Sequence, residues 1–224
     1  MENPWKALPE HELVLPEDRP HVDAFNRDVD PKYRLNTAVL PQPFLGPRDA
    51  RLVILALNPG KRGWTDGPYA RALRDDLTSD HGTPFPPLRE EFVSGDGSWW
   101  KTCLGAIATS AERPISSLAD DVLSIEFLPY HSISYRTVPV TLPSQRYSFG
   151  LVRAAIERGA TIVVLRGRRS WTVAVPELLK ADVVFSGNPR VGAISPGTLG
   201  EDSFNRIVEV FGASSKLRPP GRSA

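Results

Sequence analysis

Residues 52–64 read LVILALNPGKRGW, and the fold is decided by the change of character at Asn58. Six apolar residues, Leu52–Leu57, run unbroken and then give way to Asn58-Pro59-Gly60-Lys61-Arg62-Gly63-Trp64. A short Val/Ile/Leu run bounded by turn residues suits a strand buried on both faces, as in a parallel sheet. Three more runs rich in β-formers follow, Val122–Leu128, Thr161–Leu165 and Asp182–Phe185. Helical stretches separate them: Pro68–Leu77 after Asp66, Trp99–Thr109 after Ser98, and Gln145–Arg158 between Ser144 and Gly159. Two pieces broken by Pro176, Trp171–Val175 and Glu177–Lys180, come next, and Ser203–Phe211 ends at Gly212. Asp66, Ser98 and Ser144 stand where N-caps belong, and Gly159 where a helix stops. Strands alternating with helices predict an α/β fold, a three-layer α/β/α domain with a central, mainly parallel four-stranded sheet.

Outward from this core the chain changes. Residues 1–50 are polar and punctuated by Pro4, Pro9, Pro16, Pro20, Pro31, Pro41, Pro43 and Pro47. They read as an arm packed on the domain of residues 51–213, with room for one short helix near Val22–Asp28. Residues 214–224, SSKLRPPGRSA, read as a flexible tail. The 27 Lys and Arg balance 26 Asp and Glu, which excludes a polyanionic or histone-like chain but leaves room for a local basic patch. Cys103 is the single cysteine, so neither an intrachain disulfide nor a Cys-rich zinc site forms, and the four His lack zinc-protease spacing. No apolar run approaches the roughly 18 residues of a membrane helix. The first residues lack the order of a signal peptide. A cytoplasmic, monomeric protein without membrane partners is the expectation.

In an open α/β sheet, ligands bind beyond the carboxyl ends of the strands. Here those ends carry Asn58–Trp64, Pro129-Tyr130-His131-Ser132, Arg166-Gly167-Arg168-Arg169 and Ser186-Gly187-Asn188-Pro189-Arg190. Polar and cationic residues on one rim predict a pocket there. Lys61, Arg62, Arg166, Arg168, Arg169 and Arg190 concentrate positive charge that suits phosphate contact. The first loop has neither the spacer nor the Gly-Lys-Ser/Thr ending of a P-loop.

The ordered set of strand-end motifs resembles the uracil-DNA glycosylase superfamily, several branches of which have a buried strand ending in Asn-Pro-Gly. Asp66-Gly67-Pro68-Tyr69 is similar to the stretch that supplies the base-stacking aromatic. Ile125-Glu126-Phe127-Leu128-Pro129 stands at the strand that reads the base, and Asn188-Pro189-Arg190 at the second signature loop, usually His-Pro-Ser. The likeness spans about residues 50–212. Two positions depart from pattern: Asn188 replaces the usual His, and Glu126 the usual Asn.

The resemblance implies a DNA-repair hydrolase, a monofunctional N-glycosylase that extrudes a damaged or modified base from single- or double-stranded DNA and cleaves its glycosidic bond. Asn58 would hold the water, and Asn188, Arg190 or His131 would stabilise the departing base. Tyr69 or Trp64 would stack on it. Gly60, Glu126 and Phe127 would complete the base site, with no metal or organic cofactor. Plainer readings stand beside these: Asn58 as a turn cap, Tyr69 as a half-buried aromatic, His131 as a structural histidine, the arginines as a solvated face, Trp99 and Trp100 as core. At the level of function, the alternatives are a catalytically degenerate nucleic-acid-binding protein and a nucleoside or nucleotide hydrolase. Glu126 also bears on the base. An ionised carboxylate offers only acceptors and suits a base with adjacent donors, so uracil excision at neutral pH is expected to be poor; a protonated Glu126 restores uracil reading.

Overall fold

The structure, a computed structural model, describes residues 1–188 and 190–212. Pro189 and the expected tail lie outside the described residues.

The sheet is mixed and mostly parallel, with five strands among the described residues rather than the expected four. They are β1 (Phe44–Leu45), β2 (Leu52–Ala56), β3 (Val122–Glu126), β4 (Thr161–Val164) and β5 (Val183–Phe185), in the order β1-β3-β2-β4-β5. The extra strand, β1, pairs antiparallel with β3, Phe44 opposite Ile125. Two residues between prolines and a glycine carry no periodicity, so sequence alone does not reveal such a strand. The other four are parallel: Leu52 and Ala56 of β2 face Val122 and Glu126 of β3, and Leu55 faces Val164 of β4. Every residue of β2 and β3 is buried, as an unbroken apolar run requires.

Among the described residues there are seven α-helices: α1 (Arg19–Asp28), α2 (Gly67–Thr78), α3 (Ser98–Ser110), α4 (Gln145–Glu157), α5 (Arg168–Ala174), α6 (Pro196–Leu199) and α7 (Glu201–Gly212). Gly159, at φ +70°, ends α4 as expected. The expected caps differ. Gly97, not Ser98, precedes α3, and neither Asp66 nor Ser144 caps its helix through its side chain. The Ser144 hydroxyl instead donates to Asp18. Gly167, three residues beyond β4, turns left-handed at φ +77°, and α5 begins at Arg168, three residues earlier than the sequence suggests. That places Arg168 and Arg169 in its first turn.

Residues 1–50 supply β1, α1 and part of the core itself. Trp5, Leu15, Val22 and Phe44 are buried in the main apolar cluster. A buried network fixes the segment: Asp18 accepts from the Tyr130 hydroxyl at 2.8 Å and the Ser144 amide at 3.1 Å, while Tyr130 accepts from the Leu15 amide. Trp5 lies edge-on to Tyr130, its ring centroid 6.2 Å away. Because the Trp5 indole N–H has no partner, Trp5 works by volume alone. Trp5→Ala should therefore lower stability by about 3–5 kcal/mol, and Trp5→Phe by much less, in chemical denaturation followed by circular dichroism. Equal, small losses would show that the segment is not part of the core.

Candidate functional site

The chain leaves β2 towards β3 on one side and β4 towards β5 on the other. The carboxyl ends of β2 and β4 thus form a topological switch point, where open α/β sheets hold ligands. A cavity of about 280 Å³ opens there. Its floor comes from Ala56 and Asn58 after β2, Ser124 and Glu126 on β3, and Leu165 and Arg166 after β4; Gln42, just before β1, closes one side. Trp64, Tyr69, Trp99 and Trp100 form the aromatic walls.

The loop after β2 is clamped by the loop after β3. The Asn58 side-chain amide donates to Ser132 Oγ at 3.0 Å, and among the described residues no hydrogen bond to Asn58 Oδ1 is found. The Gly60 carbonyl accepts from the Ser132 amide at 3.1 Å and from His131 Nδ1 at 3.2 Å. Gly60 adopts φ +71°, which favours glycine. His131 is fully buried, and burial pushes its imidazole down to about 4. It is neutral at pH 7 and lies outside the cavity wall. Its position suits it to hold the loop, not to stabilise a leaving anion as the sequence reading had it.

Glu126 and Arg166 set the electrostatics. Ser124 and Glu126, two residues apart on one strand, share its cavity face. Glu126 Oε2 is buried with no hydrogen-bond partner, and so is Arg166 Nε. Burial pushes the Glu126 carboxyl up to about 8, with the Arg166 charge pulling the other way. The group is therefore mostly protonated at neutral pH, not ionised. Gln42 Nε2 is a third buried atom without a partner on this wall. Unpaired buried polar groups are costly, and three lining one cavity mark a place where a ligand completes the bonding.

Of the other residues read from sequence, Lys61, Arg62, Trp64 and Tyr69 line the cavity. Tyr69 is buried, edge-on to Trp64 at 4.8 Å and Phe92 at 4.9 Å. Arg62 is tied to Asp96 at 2.7 Å, and the Trp64 indole donates to the same carboxylate. Phe127 points away from the cavity wall into a cluster with Phe149 and Trp171, as alternation along a strand dictates. Arg168 stacks over Phe185 at 4.3 Å, and Arg169 is exposed. Neither belongs to the wall. Asn188 and Arg190 are exposed and outside it too, with Asn188 Oδ1 accepting from the Arg190 amide. Their loop nevertheless reaches the mouth, since Gly192 packs against the Trp99 ring.

The sequence reading missed Gln42, Asp96 and Ser124, and it placed Trp99 in the core, whereas Trp99 is 46% exposed at the cavity mouth. Ser124 carries a signal, polar at period two with Glu126 inside an apolar run; Gln42, alone between two prolines, carries none. Among the described residues no cluster of His, Cys, Asp and Glu has the makings of a metal site, and no helix is long and apolar enough to cross a membrane. Compared with protein-family models, curated proteins and solved structures, the chain matches none.

The Glu126 carboxyl has a thermodynamic signature. Between about 4.5 and 8 the folded protein keeps a proton that the unfolded chain releases. Its contribution is complete below the lower value and is lost as pH rises through the upper one. Relative to Glu126→Gln, the wild type should lose up to about 1.4 kcal/mol per pH unit across that window, measured by denaturation at several pH values. The His131 contribution, which is lost as pH falls through about 4, is common to both proteins and cancels. A difference independent of pH would show a carboxyl that titrates normally.

Proposed function

We propose that this protein is a DNA base-excision N-glycosylase that takes an extruded base into the cavity at the β2/β4 switch point. The observation that carries the reading is a buried carboxyl, Glu126, and a half-buried guanidinium, Arg166, which line one aromatic-walled cavity and each bury an atom that has no hydrogen-bond partner. A base between them supplies what both lack. The proposal includes a three-layer α/β/α arrangement: right-handed crossovers running to opposite sides of β2 set helices on both faces of the sheet.

Each role follows from the chemistry of the step. Glycosidic hydrolysis passes through a cationic sugar and an anionic leaving base. Asn58, its amide held by Ser132, directs Oδ1 at the attacking water. An amide is no general base at neutral pH, so positioning supplies the rate. The Arg166 cation stabilises the departing base as its charge develops. A protonated Glu126 offers one donor and one acceptor, and Gln42 Nε2 one more donor, which matches the carbonyl-imide edge of a uracil-type base. Uracil is therefore read at neutral pH, the reverse of what an ionised carboxylate implies. Trp64 and Tyr69 provide the stacking wall. The leaving-group roles first assigned to Asn188, Arg190 and His131 pass to Arg166 and Glu126. A nucleoside hydrolase is the second reading, favoured by the Arg62–Asp96 pair, which takes one rim cation away from phosphate.

Single-turnover assays on single- and double-stranded DNA containing deaminated or otherwise modified bases, beside the free nucleosides, test this. Uracil-type bases should leave at a rate that is level near neutral pH and falls above about 8. Asn58→Ala should reduce that rate about 100-fold or more. Glu126→Gln, which keeps a donor and an acceptor, should remain active and lose the alkaline fall. Cleavage of nucleosides but not DNA would favour the second reading. No cleavage of either would overturn both.

A further inference from the structure

Of the rim cations, Arg62 is engaged by Asp96 and Arg168 stacks on Phe185, and a second group of cations lies off the rim. It is built where the N-terminal segment meets the loop after β3. Residues 30–36 and 131–137 read DPKYRLN and HSISYRT. Lys32, Arg34 and Arg136 are exposed, and among the described residues none of them forms an ion pair. Asp30 is the single carboxylate in the two stretches. Lys32 and Arg136 share one ring: Nζ lies 4.9 Å and the guanidinium 5.5 Å from the Tyr33 centroid. Two like charges gathered at one aromatic ring repel each other, and an anion that joins them relieves the repulsion.

The patch is wired to the cavity. The Lys32 carbonyl accepts from the Ser134 amide at 2.9 Å, and the Ser134 carbonyl accepts from the Ser132 hydroxyl at 3.0 Å. Ser132 Oγ in turn accepts from the Asn58 amide. Three hydrogen bonds thus separate the cation-bearing backbone from the residue that holds the water. The Asn36 amide, donating to the His131 carbonyl at 2.7 Å, fixes the same two segments to each other. Ile133, three residues before Arg136 on the same loop, is 60% exposed.

We infer that Lys32, Arg34 and Arg136, gathered around Tyr33, form a grip for the DNA phosphate backbone that presents the target nucleotide to the cavity. This rests on the base-excision reading and assigns the N-terminal segment a part in substrate binding. The grip contacts phosphates and reads no sequence.

The test uses the full-length protein and a fluorescein-labelled duplex of mixed sequence, with binding followed by anisotropy between about 50 and 200 mM salt. The variant Lys32→Ala/Arg34→Ala/Arg136→Ala should bind more weakly on every sequence, and its log–log salt slope should shrink by roughly 2–3. The charge-preserving variant Lys32→Arg/Arg34→Lys/Arg136→Lys should keep the wild-type slope. Thermal melting of both variants identifies any loss of fold. An unchanged slope in the alanine variant overturns the grip and leaves the cavity reading to the Asn58→Ala cleavage assay. A slope that shrinks as expected in a protein that cleaves no base supports the grip and overturns the cavity reading.

Discussion

The molecule depends on the in-register parallel pairing of β2 with β3. Because Ala56 lies opposite Glu126, the two strands end level and their loops leave the sheet together. That is why Ser132 and His131 can reach the Gly60 carbonyl, and why Ser132 can hold the Asn58 amide. A slip by one residue would turn Ser124 and Glu126 to the opposite face of the sheet and empty the cavity of its polar floor. Stability and site therefore have one origin, since the runs that bury both faces of the sheet also set the level of its functional rim.

The site is expensive in the same place. Glu126, Gln42 and Arg166 each bury an atom with no partner, and each such atom costs about 1–3 kcal/mol relative to a satisfied one. The cost is tolerated beside an extensive apolar core that includes Trp5, Trp171 and Phe44. Elsewhere buried charges are paired: Asp76 accepts from the Gly46 and Thr83 amides and lies beside Arg48. Asp18 is satisfied by Tyr130 and Ser144. Both of those carboxylates are satisfied on the scaffold, whereas Glu126 Oε2, Gln42 Nε2 and Arg166 Nε are left open together on one cavity wall.

Much of this was legible in the sequence. LVILAL and TIVVL announced buried parallel strands, and the polar residues after them announced the rim. Asn58, Gly60, Lys61, Arg62, Trp64, Tyr69, Glu126 and Arg166 do meet at one cavity. What stayed hidden depends on long-range packing. Gln42 reaches the site only because a two-residue strand pairs with β3, and Trp99 heads an apolar helix yet its ring faces the mouth. Phe127 shows the limit of reading a motif as a block, because alternation turns it away from its neighbour Glu126. The charge state of Glu126 was likewise out of reach, since it is set by burial and by Arg166, 40 positions along the chain.

The central claim is that the cavity holds a nucleobase, and the most direct measurement is a protein-observed NMR titration with free bases, read at side-chain N–H signals. The chain's five Trp make the result local. Addition of uracil should shift the Gln42 amide and the indole signals of Trp64 and Trp99, and leave Trp5, buried in the core against Tyr130, unmoved. Shifts absent at the cavity, or present equally at Trp5, would contradict a base-binding site there.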